Sequence, residues 1–435
     1  MSEKKRNTKT KLVMITCAAV MLCGLFAFGG AWFLRHRSFP EMPRSIGTAG
    51  EAAAGINIGA KTGKWYRVTP LNGFEADGTG WHGVFRKGTE NKLLVYFFGG
   101  GVSINEETEK RYEEFFKYSY EHQDYYATQG IGSDDKENAF RDWTIIGIPY
   151  STGDLHLGTG KYTWKAKDGT EDEICHYGYL NYEAVMKEAL RFVGEPEELL
   201  ITGFSAGGFG AALLADDVID HFPSVKKTTV CIDSSLLLYD GWKKTAGSLW
   251  KAPDKIMDQI QSDNLVIDGL THLKEEHPDV TILYTGSVRD NALTVYQSYV
   301  DNGKFGEAEN TPENGTVYQN NLKEMVSQLQ EKIPDCGIFI FDLGLDKKTH
   351  NTQHMIINSS DVFKPLSDDV SVMKWIKEAE EGKVKSHGLE LLDQDYVTEE
   401  EETPDPEETA DSKETADPKE TVKPESTTEP ETKKS

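Results

Sequence analysis

Short apolar runs alternate with helical patterns through the middle of the chain. The runs are KWYRVTP, WHGVFRK, KLLVYFF, WTIIGIPY, LLITGFS, TTVCIDSS, VTILYTGS and GIFIFDLG. The last six are almost continuously apolar, as strands covered on both faces are. Periodicity near 3.6 predicts helices over 107–121, 179–193, 207–221, 294–301 and 320–332, and a final amphipathic helix over 370–380. Alternation of strand and helix implies right-handed crossovers and a mainly parallel sheet. The first two runs lie close together and suit an antiparallel edge.

The two ends of the chain break this pattern. Leu12 to Leu34 is almost wholly apolar and comes after Lys4, Lys5, Arg6, Lys9 and Lys11. As a helix it would run ~34 Å, enough for a bilayer core of ~30 Å. The basic cluster keeps the N-terminus inside and exports the C-terminal part of the chain. A cleaved signal peptide is the rival reading. The run is long for one and ends in Trp32, Phe33, Leu34 and Arg35, without a small-x-small cleavage site. Residues 386–435 are dominated by Glu, Thr, Pro, Asp and Lys, with near-repeats such as KETADPKETVKPE. Too few apolar groups are present there to offset the entropy of ordering, so the sequence predicts a disordered tail. The expected organisation is a cytoplasmic basic segment 1–11, a single-pass membrane anchor 12–34, a linker 35–63, a catalytic domain 64–385 outside the cytoplasm, and the acidic tail 386–435.

Charge and cysteine usage narrow the function. The formal charge of −25 argues against nucleic-acid partners, because phosphates would be repelled. Cys175, Cys231 and Cys336 are scattered through the central part with no CxxC spacing, which indicates neither a disulfide framework nor a zinc site.

The chemistry centres on Gly203-Phe204-Ser205-Ala206-Gly207, between a predicted strand and a predicted helix. In that setting a GxSxG motif is a sharp turn that projects the serine hydroxyl above the sheet. With the strand order it predicts the α/β-hydrolase fold class, a mainly parallel sheet of about eight strands with helices on both faces. A serine hydroxyl needs a histidine base and a carboxylate that orients it, here in chain order Ser, acid, His. His354 and His350 both come after the strand GIFIFDLG, and His354 is favoured because Met355, Ile356 and Ile357 can pack its backbone onto the domain. Asp290 after VTILYTGS is the preferred acid, and Asp233 after TTVCI is the alternative. The oxyanion hole is assigned to the amides of Gly100, Gly101 and Ala206.

These motifs together resemble the pectin acetylesterase family, which includes the Notum carboxylesterases. The resemblance is carried by LVYFFGGGVS at 94–103, PYSTGD at 149–154, HYGYLN at 176–181, the GFSAGG around Ser205, Asp233-Ser234, Asp290 and His354. It covers roughly 68–357. It implies hydrolysis of carboxylic esters with no metal or organic cofactor. It implies acetylated polysaccharide substrates in some members and a fatty acyl group on protein in others. Of the candidate pocket residues Asp154, His156 and His176, the first two would shape the pocket floor or hold a loop, and His176 would have a structural hydrogen-bonding role rather than a catalytic one. Many relatives carry Cys after the glycine segment, and this chain carries Ser103.

The expectation is a serine carboxylesterase acting on an ester, an acetylated carbohydrate by preference, through an acyl-serine intermediate. Its rivals are a non-catalytic glycan-binding protein on the same fold, and an acyltransferase or peptidase using the same three residues.

Overall fold

The computed structural model describes residues 60–397, apart from 71, 120–122 and 167–168. All eight apolar runs form strands of one sheet: β1 (Trp65–Val68), β2 (Gly83–Arg86), β3 (Lys92–Phe97), β4 (Thr144–Ile148), β7 (Glu198–Phe204), β8 (Lys227–Asp233), β9 (Thr281–Ser287) and β10 (Gly337–Phe341). Between β4 and β7 in the chain, β5 (Gly160–Lys165) and β6 (Glu171–His176) form a separate two-stranded hairpin. The spatial order of the large sheet is β1-β2-β4-β3-β7-β8-β9-β10. β1 and β2 form the antiparallel edge, and every pairing from β4 to β10 is parallel. The inner strands are buried nearly end to end, which is why their sequences are continuously apolar rather than alternating.

This order fixes the site. The chain leaves β3 outward to β4 and then returns to β7 on the other side of β3. The loops after β3 and β7 therefore diverge from neighbouring strand ends, where open α/β sheets place their ligands. Register sets Phe97 beside Gly203 and Phe204 beside Asp233. The glycine segment, the serine turn and the Asp233 loop thus emerge side by side.

The helix Leu265–Glu276 was not among those expected, and four further differences from the sequence reading stand out. The hairpin β5–β6 is one, since no strand was expected there. The helix expected over 107–121 is two short turns, Glu106–Lys110 and Tyr112–Phe115, split at Arg111. The chain straightens at Phe116, which pairs antiparallel with Gly101. Phe115 is buried from the last position of the turn, and Phe116 is buried from extended backbone at φ −155°, ψ 164°. The helix expected from 320 begins at Pro312, where Thr311 caps it and proline occupies its first turn.

The fourth difference is at the tail. The folded unit runs to Gln394. His387, assigned to the tail by composition, is buried, and its backbone pairs with Ile338 and Ile340 of β10. Gln319 Nε2 donates to the carbonyl of Gln394 at 2.8 Å. A hydrophilic average over 386–435 hides this short docked stretch. The remainder of the expected tail from 398, the linker up to 59, the apolar run 12–34 and the basic segment 1–11 lie outside the described residues. Among the described residues no helix is long and apolar enough to cross a membrane.

Candidate active site

Ser205 sits at φ 53°, ψ −129°, a conformation that costs an ordinary residue about 1–3 kcal/mol. The turn is held from several directions. Its amide donates to the Asp233 carbonyl at 2.9 Å, and its own carbonyl accepts from Gly208 at 2.9 Å and from Ser235 Oγ at 2.8 Å. Glycine is obligatory at 203 and 207, because a Cβ at either would run into the backbone of Gly207 or of Phe97. The helix Ala206–Asp220 then leaves fully packed, buried from Ala206 through Ala215.

Asp290 and His354 are brought together by a parallel bridge between Asp290 and Thr352. His354 Nδ1 lies 2.6 Å from Asp290 Oδ2, with Asp290 fully buried and 18% of the His354 side chain exposed. The other carboxylate oxygen, Oδ1, accepts from the amides of Ala292 at 3.0 Å and Leu293 at 2.8 Å. Asp290 therefore caps the start of the next helix and orients the imidazole at once. Burial pulls the His354 pKa down. The charge of Asp290, its hydrogen bond and the charge of Asp233 outweigh that and leave it above the ordinary 6.5. With Nδ1 committed to Asp290, Nε2 is the nitrogen left for a reacting group.

His350, the alternative base, is absent from the pocket; its carbonyl accepts from Arg289 Nε at 2.6 Å. Asp233, the alternative acid, does not reach the imidazole by hydrogen bond. Its Oδ2 accepts the amides of Ile356 and Ile357, each at 2.8 Å, and its Oδ1 accepts Ser234 Oγ at 2.8 Å. Burial pushes its carboxyl up to about 6 against those bonds. Asp233 clamps the loop that carries the histidine. The strand-end Asp-Ser pair was visible in the sequence, but its partners lie 123 and 124 residues away.

Ser205 and His354 line one pocket of about 230 Å³ with Gly99, Gly100 and Gly101, without a direct hydrogen bond between them. Such bonds are often open before substrate binds. The amides of Gly100, Gly101 and Ala206 donate to no protein group among the described residues. Gly101 takes φ 89° and packs against Phe115 and the hydroxyl of Tyr296, so the loop has no room for a side chain there. Phe115, Phe116, Tyr126, Phe204, Ala292, Tyr296 and Met355 add to the wall, and Glu113, Glu114 and Lys117 complete it. Sequence reasoning missed these residues because they come from separate loops, turns and helices.

Asp154, His156 and His176 do not line this pocket, so the pocket-floor reading is corrected in favour of the loop-holding one. Asp154 Oδ2 accepts from the amides of Gly158 at 3.1 Å and Gly178 at 2.8 Å, and Oδ1 from Thr152 Oγ1 at 2.6 Å. His156 Nε2 lies 2.9 Å from the Phe98 carbonyl. Burial lowers its pKa to about 4, so the ring is neutral and Nε2–H is the donor. It braces the residue before the glycine segment. His176 Nδ1 meets the Thr152 carbonyl at 2.8 Å, and Nε2 pairs with Glu109 Oε1 at 3.0 Å. The same Glu109 oxygen accepts Ser103 Oγ at 2.7 Å. Ser103 is thus hydrogen-bonded to a buried carboxylate that also contacts His176.

Residues 77–247 match the family profile described as Pectinacetylesterase. The resemblance to the pectin acetylesterase and Notum-like family stands. Two crystal forms of the Wnt deacylase Notum from Drosophila superpose on the chain with TM-scores of 0.52 and 0.51, at 17% identity. They cover 73% of this chain and 93% and 92% of theirs, which shows the shared α/β-hydrolase-like fold. No curated relative matches the sequence. The family match supports an esterase of the carboxylic-ester hydrolase type.

Proposed function

We propose that this chain is an extracytoplasmic serine carboxylesterase that removes short acyl groups, acetyl above all, from a polysaccharide. The observation that carries the reading is the 2.6 Å contact between His354 Nδ1 and Asp290 Oδ2 at a pocket that also holds Ser205. Ser205 Oγ attacks the ester carbonyl while His354 Nε2 takes its proton. The carbonyl oxygen becomes an oxyanion in reach of the amides of Gly100, Gly101 and Ala206. Collapse of the tetrahedral intermediate breaks the bond to the leaving oxygen, which takes the proton from His354. Water, deprotonated by the same imidazole, then hydrolyses acyl-Ser205 and restores the serine.

Pocket size supports a short acyl group. A cavity of about 150 Å³ accommodates benzene, with its six carbons. At about 230 Å³ this pocket has room for a short acyl group and part of its carrier. The apolar run at 12–34 behind its basic cluster supports anchoring in the membrane with the catalytic domain exported. A series of p-nitrophenyl esters tests the reading. Turnover should be fastest on acetate and other short esters and negligible on palmitate. Preference for the longest chain would remove the acetyl assignment.

A further inference from the structure

We infer that the hairpin β5–β6 and the turn Tyr112–Phe115 form a binding track for an uncharged glycan chain, leading outward from the catalytic pocket. The inference rests on the esterase reading and names the carrier of the ester. It begins from a row of rings. Phe116 lines the pocket, and the Tyr112 ring lies 6.4 Å from it. Trp164 comes next at 6.4 Å from Tyr112, and Tyr162 stacks on Trp164 at 5.7 Å with 24° between planes. Tyr112, Tyr162 and Trp164 are each only partly buried. Strand alternation sets Tyr162 and Trp164 on one face of β5, with the exposed Lys161, Thr163 and Lys165 on the other.

Aromatic side chains with one wet edge suit a ligand that is apolar on one face and polar around its rim. A pyranose ring is such a ligand: its C–H bonds form an apolar face and its hydroxyls point outward. Rings in a row can hold successive sugars while an acetyl ester enters the pocket beside Phe116.

The charges select against an acidic chain. A polyuronate carries a carboxylate on every sugar and needs a matching row of free cations. Lys110 is paired with Glu106, Arg111 with both Glu107 and Glu114, and Lys161 with Glu173. Only Lys117 and Lys165 remain without an ion-pair partner among the described residues of the two segments, against Glu113, Glu171 and Asp172. Glu113 and Glu114 stand at the pocket itself, where Lys117 is the one lysine or arginine against two carboxylates.

The test is calorimetric binding to the full-length protein carrying Ser205→Ala, so that esters survive. The probes are O-acetylated xylan oligosaccharides, which are neutral, and O-acetylated oligogalacturonides, which are acidic. The neutral chain should bind at least about tenfold more tightly at low salt, with the gap closing as salt screens repulsion. Adding Trp164→Ala should weaken neutral binding by about tenfold or more, as loss of a stacking ring does, and Trp164→Phe should retain most of it. If the alanine variant fails to fold by circular dichroism, Tyr162→Ala takes its place with the same expectation. Unchanged binding in the ring-less variant overturns the track. So does equal or tighter binding of the acidic chain, or binding of an O-acetylserine peptide and of neither glycan. Turnover of p-nitrophenyl acetate by the unsubstituted protein reports separately on the esterase reading: an inert protein that binds xylan keeps the track and loses the enzyme, and an active one that binds no glycan does the reverse.

Discussion

Arg289 Nε donates to the carbonyl oxygen of His350 at 2.6 Å, tying the residue before the acid to the loop that carries the base. The rest of its guanidinium, wholly buried, reaches Thr316 Oγ1 and Gln319 Oε1, each at 3.0 Å, and the Pro312 carbonyl at 2.5 Å. Thr352 completes the stitch, its amide donating to the Arg289 carbonyl at 2.9 Å. The planar fork thus adds to the bridge at Thr352 and the clamp at Asp233 in setting the relative position of Asp290 and His354.

Lysine at 289 keeps the charge but offers a single nitrogen to acceptors on several sides. Arg289→Lys should cost about 2–4 kcal/mol in stability, since buried acceptors lose their donors. It should also lower kcat by about a hundredfold through misplacement of the base. Denaturant melts and steady-state rates on p-nitrophenyl acetate check both, and a variant with normal kcat would show that the stitch does not position the base.

On the proposed mechanism the pH profile is set by His354. The base acts only when neutral, and its pKa stands above 6.5, so kcat/KM should fall about tenfold per pH unit below a midpoint higher than 6.5. Asp290→Asn removes the charge and the hydrogen bond that raise the value and leaves the burial that lowers it. The acid limb should therefore move to lower pH while the plateau drops by about 10³–10⁴. A limb that stays in place would mean that another group sets it.

Asp233 makes the opposite kind of prediction. Its folded pKa of about 6 is above its ordinary 3.8, so between those values the native state binds more protons than the unfolded chain. Stability should then decline as pH rises through that window. Asparagine can keep both amide bonds with its oxygen and donate to Ser234 Oγ with its nitrogen. Asp233→Asn should abolish that pH dependence and stabilise the protein above pH 6, while lowering the acid limb of activity less than Asp290→Asn does. Asp233→Ala strands the buried amides of Ile356 and Ile357 and should cost at least about 2 kcal/mol. Urea midpoints across pH separate these cases.

The strained serine turn predicts a trade of stability against chemistry. Glycine tolerates φ 53° without penalty but loses more freedom on folding. Relief of about 1–3 kcal/mol of strain less about 0.5–1 kcal/mol of entropy leaves Ser205→Gly about 1 kcal/mol more stable than the parent. A shift of the denaturant midpoint at constant slope would register it; a destabilised variant would mean that the turn is not strained by its side chain.

Much of this fold is legible in the sequence because burial on both faces leaves an unbroken apolar record, as in KLLVYFF and TTVCIDSS. The GxSxG turn is legible because its glycines answer a steric demand made within five residues. Other features were present as signals but weaker. Lys161-Tyr162-Thr163-Trp164-Lys165 alternates as a strand does, and Asp168-Gly169, a hairpin dipeptide, comes shortly after it. Thr311-Pro312 marks the true helix start. The pocket wall and the double clamp of Asp233 carry no local signal, because they are contacts between segments far apart in the chain. Asp154, His156 and His176 attract notice as polar residues in motifs, yet most of their bonds are to backbone groups that a sequence does not display.

The central claim is that Ser205 carries the acyl group. Full-length protein mixed with p-nitrophenyl acetate should be quenched in acid within the first turnovers, digested and examined by mass spectrometry. One acetyl group should appear on the peptide containing Ser205 and be lost on longer incubation. Ser205→Ala should acquire none and should lose several orders of magnitude in kcat, about 10⁶ where a serine hydrolase of another fold has been dissected. Undiminished turnover in Ser205→Ala, or a transient acetyl group on any other residue, would contradict the account.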